Sequence, residues 1–257
     1  MKLLIKISYL GTRYCGYQAQ PNGETVQQKL NEATRALFGF DCDIVGCSRT
    51  DSGVHAKEFC ATVCKKGTEE LQTTIPIERI PQAMNMYLPP DISVFEAEWV
   101  PGSFHARYSV VAKEYVYRIY NRREMDPFEV GRAAHLPVRL TEEDLQRMRQ
   151  AADAFCGTHD FSAYMAQGSK ITDPVRTIML SLVKRDGDLI LFRVRADGFL
   201  YNMVRILAGT LVEVGQGKID PADIPSITES RDRSRAGLTM PACGLYLNRV
   251  FYKEPEE

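Results

Sequence analysis

The strongest constraint on how this chain folds is a change of hydrophobic period, from two residues to about 3.6 and back, that runs twice along it in the same order. Leu3, Ile5, Ile7 and Tyr9 occupy every second position of residues 3–9 and share one face of a predicted strand. Thr25-x-x-Gln28 then supplies a capping box for a helix whose Val26, Leu30, Ala33 and Leu37 form an apolar stripe ended by Gly39. Strands near 43–48 and 59–65 flank a polar loop, and a helix near 77–88 and a strand near 92–98 follow. The second pass begins with a strand at 112–120 and a helix from Thr141 whose Leu145, Met148, Ala152 and Phe155 share a face before Gly157 stops it. A hairpin of strands 177–184 and 189–196 is expected through Asp186-Gly187, then a helix near 199–214 and a last strand near 244–252.

Two successive β-α-β-β-α-β patterns predict an α+β fold of two ferredoxin-like, split-βαβ halves, each a mainly antiparallel sheet with helices on one face. The expected domains are 1–108 and 109–257, with the active cleft between the halves. That architecture hosts many unrelated reactions, so function has to be argued from particular residues.

Composition narrows the classes further. A net charge of −1 counts against a surface that binds nucleic acid everywhere, so any such site must be local. The basic groups Lys65-Lys66, 107–113, Arg122-Arg123 and 170–176 each read, taken alone, as solvated faces. Seven scattered cysteines and four dispersed histidines offer no metal-ligand spacing, so no metal is expected. No stretch approaches the roughly 18 apolar residues of a membrane span. Met1 leads directly into the first strand without an apolar leader, which points to the cytoplasm.

The polar loop is the richest in chemistry: Ser48-Arg49-Thr50-Asp51-Ser52-Gly53-Val54-His55-Ala56. Residues of these types also build ordinary turns. On that reading Asp51 bonds backbone amides ahead of Gly53, Arg49 pairs with a surface carboxylate, and His55 satisfies a buried carbonyl.

The same nine residues resemble the signature loop of the tRNA pseudouridine synthase A (TruA) family, and other segments follow in the family's order. They are Ile7-Ser8-Tyr9-x-Gly11, Gly16-Tyr17-Gln18-x-Gln20, Thr25-Val26-Gln27, Asn85-x-x-Leu88-Pro89-x-Asp91-Ile92, Phe104-His105-Ala106-Arg107-Tyr108-Ser109 and Lys113-Glu114-Tyr115-x-Tyr117-x-Ile119-Tyr120-Asn121. Asp160-Phe161-Ser162, Arg176-Thr177-Ile178, Phe199-Leu200-Tyr201-Asn202-Met203-Val204-Arg205 and Gly244-Leu245-Tyr246-Leu247 continue it to the end. Ser48 replaces a glycine and Ser52 an alanine or lysine common in the family; neither change removes a reactive group.

The resemblance implies an isomerase that converts uridine to pseudouridine in tRNA, at positions 38–40 of the anticodon stem-loop, without cofactor or metal. Asp51 takes the catalytic position. Tyr115, Arg205 and Leu247 match substrate-binding positions: a ring against the base, the arginine that pairs with the aspartate, and an aliphatic wall. Arg49 resembles the base-flipping arginine that contacts tRNA. Phe104, His105, Ala106, Arg107 and Tyr108, together with Gly168, Ser169, Lys170, Ile171 and Thr172, match RNA-binding regions. Family members act as homodimers, which would assemble a basic cleft from patches that are weak on one chain.

Three other readings stay open on the residues themselves: a related synthase acting on other RNA uridines, a noncatalytic RNA-binding protein on the same scaffold, and a hydrolase using Asp51 with His55 as base.

Overall fold

A computed structural model describes residues 1–168 and 171–253. By internal contacts the chain divides into two compact units, one of Met1–Val111 with the described residues from Leu247 onward, the other of Ala112–Tyr246. The expected division at 108/109 follows chain order and so leaves the returning end of the chain with the second half.

In the first unit β1 (Lys2–Tyr9) is central, antiparallel to β3 (His55–Lys65) on one side and to β4 (Ile92–Val100) on the other. β2 (Cys42–Gly46) pairs with β3, and β10 (Leu245–Phe251) is its other neighbour. Helix α1 (Val26–Phe38) packs on β2, and α2 (Ile80–Asn85) packs on β4. Thr25 caps α1 by accepting from the Gln28 N–H at 3.3 Å, and Gly39 ends it at φ 77°. The Gln28 side chain donates to Glu32 at 3.1 Å, so what forms at α1 is the Thr25 half of the expected box.

Two expectations need correction here. The helix expected over 77–88 is a 3₁₀ turn, Ile77–Arg79, followed by the six-residue α2, because Pro81 lies in its first turn and Leu88-Pro89 bars continuation. β3 begins at His55 rather than Phe59, so His55 and Ala56 belong to a strand, not the loop.

The second unit is a mainly antiparallel sheet in the order β5 (Ala112–Tyr120), β9 (Leu189–Ala196), β8 (Val175–Asp186), β7 (Gly157–Asp160). The two-residue β6 (Ala134–His135) adds parallel to β5. Helix α3 (Glu142–Asp153) carries a complete capping box between Thr141 and Asp144, and packs on β8 and on α4 (Met203–Gly215). A short α5 (Ile224–Ser230) follows.

Three boundaries differ from expectation. α3 ends at Asp153, and Gly157, at φ 109°, opens β7, an edge strand too short for periodicity to reveal. The hairpin turns on Gly187-Asp188, one residue later than expected, since Asp186 pairs with Leu189 and Gly187 supplies the positive φ (58°). α4 starts at Met203, because Asn202 sits in the left-handed region (φ 58°) and interrupts helical geometry.

Candidate active site

The loop bearing Asp51 is short, tightly turned and fastened from outside. Asp51 to Val54 form a β-turn in which the Asp51 carbonyl accepts from the Val54 N–H at 3.1 Å. Gly53, at φ 80°, fills the third position that a type II turn reserves for such a residue. The segment after β1 then grips this turn. Tyr9 Oη and Thr50 Oγ1 lie 2.9 Å apart, the Thr50 carbonyl accepts from the Tyr17 N–H at 3.1 Å, and the Ser52 hydroxyl donates to the Tyr14 carbonyl at 3.1 Å. His55 is 0% exposed, and its Nδ1 accepts from the Gly11 N–H at 2.9 Å. Backbone approaches backbone so closely that a Cβ on Gly11 would lie 1.9 Å from the Val54 carbonyl oxygen, and one on Gly16 2.6 Å from that of Thr50.

The gripping segment is itself held. Asp91 accepts from Tyr14 Oη at 2.7 Å and from Arg13 Nε at 2.8 Å, while its carbonyl accepts from the Leu10 N–H at 2.9 Å. Two family landmarks therefore act locally as structure: Asp91 ties down the strand exit, and Asn85 bonds both backbone groups of Val94 at 2.8 Å. The result leaves Asp51 partly exposed between two anchored neighbours, Thr50 and His55.

Beside the loop lies a groove of about 280 Å³ that brings Arg49 together with His105, Arg107 and Tyr108. The first expected RNA-binding stretch and the expected flipping arginine thus line one depression of the first unit. His105 Nδ1 accepts from the Arg107 and Tyr108 N–H groups at 3.1 and 3.2 Å, its ring lies 4.3 Å from that of Tyr108, and the Arg107 guanidinium stands 5.8 Å from the Tyr108 ring centre. Arg49, Arg107 and Tyr108 are exposed, so two guanidiniums and an aromatic face are presented to solvent. Phe104 packs against Tyr252 at 4.9 Å, and Ala106 is buried, its carbonyl accepting from Tyr252 Oη at 2.8 Å; these two anchor the stretch.

In the second unit Tyr115 is 6% exposed on β5 and meets Phe199 edge-on at 5.0 Å. Tyr117 and Ile119 share its strand face and are fully buried, so that face is mostly core. Arg205, in the first turn of α4, donates from Nε to the Met240 carbonyl and from a terminal nitrogen to Asn202 Oδ1, each at 2.7 Å. Leu247, on β10 and counted with the first unit, is fully buried. Gly168, Ile171 and Thr172 are exposed, whereas Ser169 and Lys170 lie outside the described residues.

Residues 5–109 and 151–253 match the family described as tRNA pseudouridine synthase. The chain belongs to that family. It is 45% identical to a tRNA pseudouridine synthase A of Bacillus pumilus, over 98% of this chain and 99% of that one. It is 44% identical to one of Acetivibrio thermocellus (98% and 99% covered) and 42% identical to one of a Thermoanaerobacter species (97% and 99%). A chain of a solved Cbf5-Nop10-Gar1 complex superposes on 97% of this chain and 50% of its own at TM-score 0.42 and 13% identity, a likeness too loose to carry any argument.

The family isomerises uridine to pseudouridine in tRNA, and this synthase is accordingly an isomerase with tRNA as substrate. Among the described residues no group of three His, Cys, Asp or Glu side chains is placed to hold a metal ion, and no helix is long and apolar enough to cross a membrane. The synthase's His55 accepts from a buried N–H through Nδ1, and its burial weighs against a role as base toward solvent water. Residue-type reasoning also missed Tyr17 and Gln18, which line the groove with Arg49. The family landmark Gly16-Tyr17-Gln18 marked the segment without assigning it a role.

Proposed function

We propose that this synthase isomerises uridines at positions 38–40 of the tRNA anticodon stem-loop, with Asp51 as the catalytic carboxylate. The reaction breaks the bond from ribose C1′ to uracil N1 and forms one from C1′ to C5. N1 gains a proton and C5 loses one, so the exchange is redox-neutral and needs no hydride or phosphate donor. An ionised Asp51 serves as nucleophile or base toward the nucleotide. Tyr115, Arg205 and Leu247 bind the target nucleotide; stacking on an aromatic ring contributes about 1–3 kcal/mol per base, enough to retain a uracil that has lost its covalent link.

A uridine in a stem leaves the stack at a cost of a few kcal/mol. Arg49 fills the vacancy, its planar guanidinium suited both to the gap and to phosphate. The 104–108 stretch and the loop around 168–172 contact the RNA. The working form is a homodimer in the cytoplasm.

The observation that carries this reading is the fastening of a partly exposed Asp51 beside a groove walled by Arg49, Arg107 and Tyr108. A catalytic carboxylate must be held in place before substrate arrives, and an arginine-lined groove at its side suits a polyanion. The test uses purified protein, unmodified tRNA and no added cofactor. Wild type forms pseudouridine at 38–40; Asp51→Asn forms none yet binds tRNA within about threefold of wild type. Modification elsewhere with 38–40 untouched would overturn the choice of site. Binding without product by both proteins would leave an RNA-binding scaffold, and release of uracil a hydrolase.

A further inference from the structure

We propose that His55, with Tyr9 on the opposite flank of the turn, is a positioning residue that sets the orientation of the Asp51 carboxylate; it rests on the reading of Asp51 as catalytic. Gly11 donates its backbone N–H to His55 Nδ1 at 2.9 Å, so that nitrogen carries no proton and the ring proton of the neutral imidazole sits on Nε2. The imidazole is 0% exposed, four residues beyond Asp51, at the point where the loop becomes β3. Tyr9 Oη meets Thr50 Oγ1 at 2.9 Å, one residue before Asp51, and both are buried. The two bonds bracket the aspartate and tie it to the two ends of one short segment, Tyr9 and Gly11, which Asp91 holds through the Leu10 N–H.

Between the brackets the turn has little freedom. The Cβ space at Gly11 and Gly16 is already occupied by the Val54 and Thr50 carbonyls, so the gripping segment cannot slide along the loop. Loss of either bond lets the Asp51 backbone shift about the ties that remain, those from Tyr17 to the Thr50 carbonyl and from Ser52 to the Tyr14 carbonyl included. A displacement of order 1 Å at a reacting group costs about a hundredfold in rate.

The test measures single-turnover pseudouridine formation at saturating tRNA, with tRNA Kd and thermal midpoint for each variant. His55→Leu, which lacks an acceptor, is expected to lose about tenfold or more in rate while Kd stays within about threefold. His55→Asn, whose amide oxygen can take the place of Nδ1, is expected to recover most of that loss, which a proton-transferring histidine would not allow. Tyr9→Phe is expected to lose rate severalfold. Tyr164→Phe removes a bond of the same kind elsewhere, between buried Tyr164 and Thr228 Oγ1 at 3.1 Å, and is expected to keep the wild-type rate.

If His55→Leu does not fold, Tyr9→Phe against Tyr164→Phe decides. A wild-type rate in Tyr9→Phe, equal losses in the two tyrosine variants, or failure of His55→Asn to recover any rate would overturn the proposal. Asp51→Asn measured alongside separates the two levels. If it is inactive while the His55 and Tyr9 variants are unimpaired, only the positioning role falls; if it is active, the reading of Asp51 falls and takes the positioning role with it.

Discussion

Asp51 and Arg205 are two charged groups assigned above to the proposed site, and the two are immobilised in different ways. Arg205 is held in part at its own helix start, where Asn202, three residues earlier, offers its side-chain oxygen at 2.7 Å, and in part by the Met240 carbonyl, 35 residues on, also at 2.7 Å. Asp51 stands on a turn with no ladder of its own and is held by residues about forty positions earlier, through Tyr9–Thr50 and Gly11–His55. A helix presents a long cationic side chain with its root already fixed, whereas a short carboxylate gains access to substrate by standing on a loop and then needs fastening from elsewhere. Perturbing the fastening should therefore move Asp51 chemistry most, and perturbing the helix start should move substrate binding.

The largest effect is expected from Gly11→Ala. Its Cβ would lie 1.9 Å from the Val54 carbonyl oxygen, and because the opposing atom is backbone, the turn itself must move. Overpacking of this kind costs about 1–3 kcal/mol or more. The stronger consequence is kinetic: a loss of about a hundredfold or more in single-turnover rate. A folded Gly11→Ala protein with the wild-type rate would show that Asp51 needs no external support, and the contrast with Arg205 would disappear.

An intermediate effect is expected at Asn202, which does two jobs that two substitutions separate. Asn202→Ala removes the acceptor for Arg205 and puts an alanine at φ 58°, where a non-glycine residue pays about 1–2 kcal/mol. Asn202→Gly tolerates that backbone but still lacks the acceptor. Asn202→Gly is expected to restore thermal stability relative to Asn202→Ala, while both weaken tRNA binding or raise KM by about five- to tenfold, part of the full worth of one hydrogen bond to a charged group because Met240 still holds the guanidinium. Recovery of affinity as well as stability in Asn202→Gly would assign the asparagine to backbone geometry alone.

The sequence made one partner of each contrast legible and hid the other. Strand β5 and the Thr25 and Gly39 limits of α1 follow from alternation and capping, because those signals arise within the element itself. Asp51, Arg49 and the 104–108 stretch were reachable through family resemblance, and the groove shared by Arg49 with His105, Arg107 and Tyr108 gives two of those assignments a common place. What holds Asp51 was not legible, because no local pattern announces that an imidazole will meet a glycine amide 44 residues away. The interruption at Asn202 was hidden for a different reason: the apolar pattern of 199–214 runs straight through it, and only the φ of 58° shows that the helix starts later. β7 is four residues long, and β10 returns to the first unit after the whole of the second; long-range pairing of that kind leaves no periodic trace.

The smallest effect is expected at Thr25, and it sharpens the contrast because the α1 start touches the same gripping segment. Thr25 Oγ1 accepts from the Gln28 N–H at 3.3 Å, and loss of such a cap costs about 1 kcal/mol. The Gly16 and Tyr17 carbonyls also accept from the Val26 and Gln27 N–H groups, at 3.3 and 2.9 Å. Those two bonds join the helix to the segment that grips Asp51 without using the threonine side chain. Thr25→Ala should therefore lower the thermal midpoint by a few degrees and leave the single-turnover rate within about twofold. A rate that fell as steeply as in Tyr9→Phe would mean that the Asp51 turn leans on the helix start through Gly16 and Tyr17, so that both charged groups owe their placement to the end of a helix.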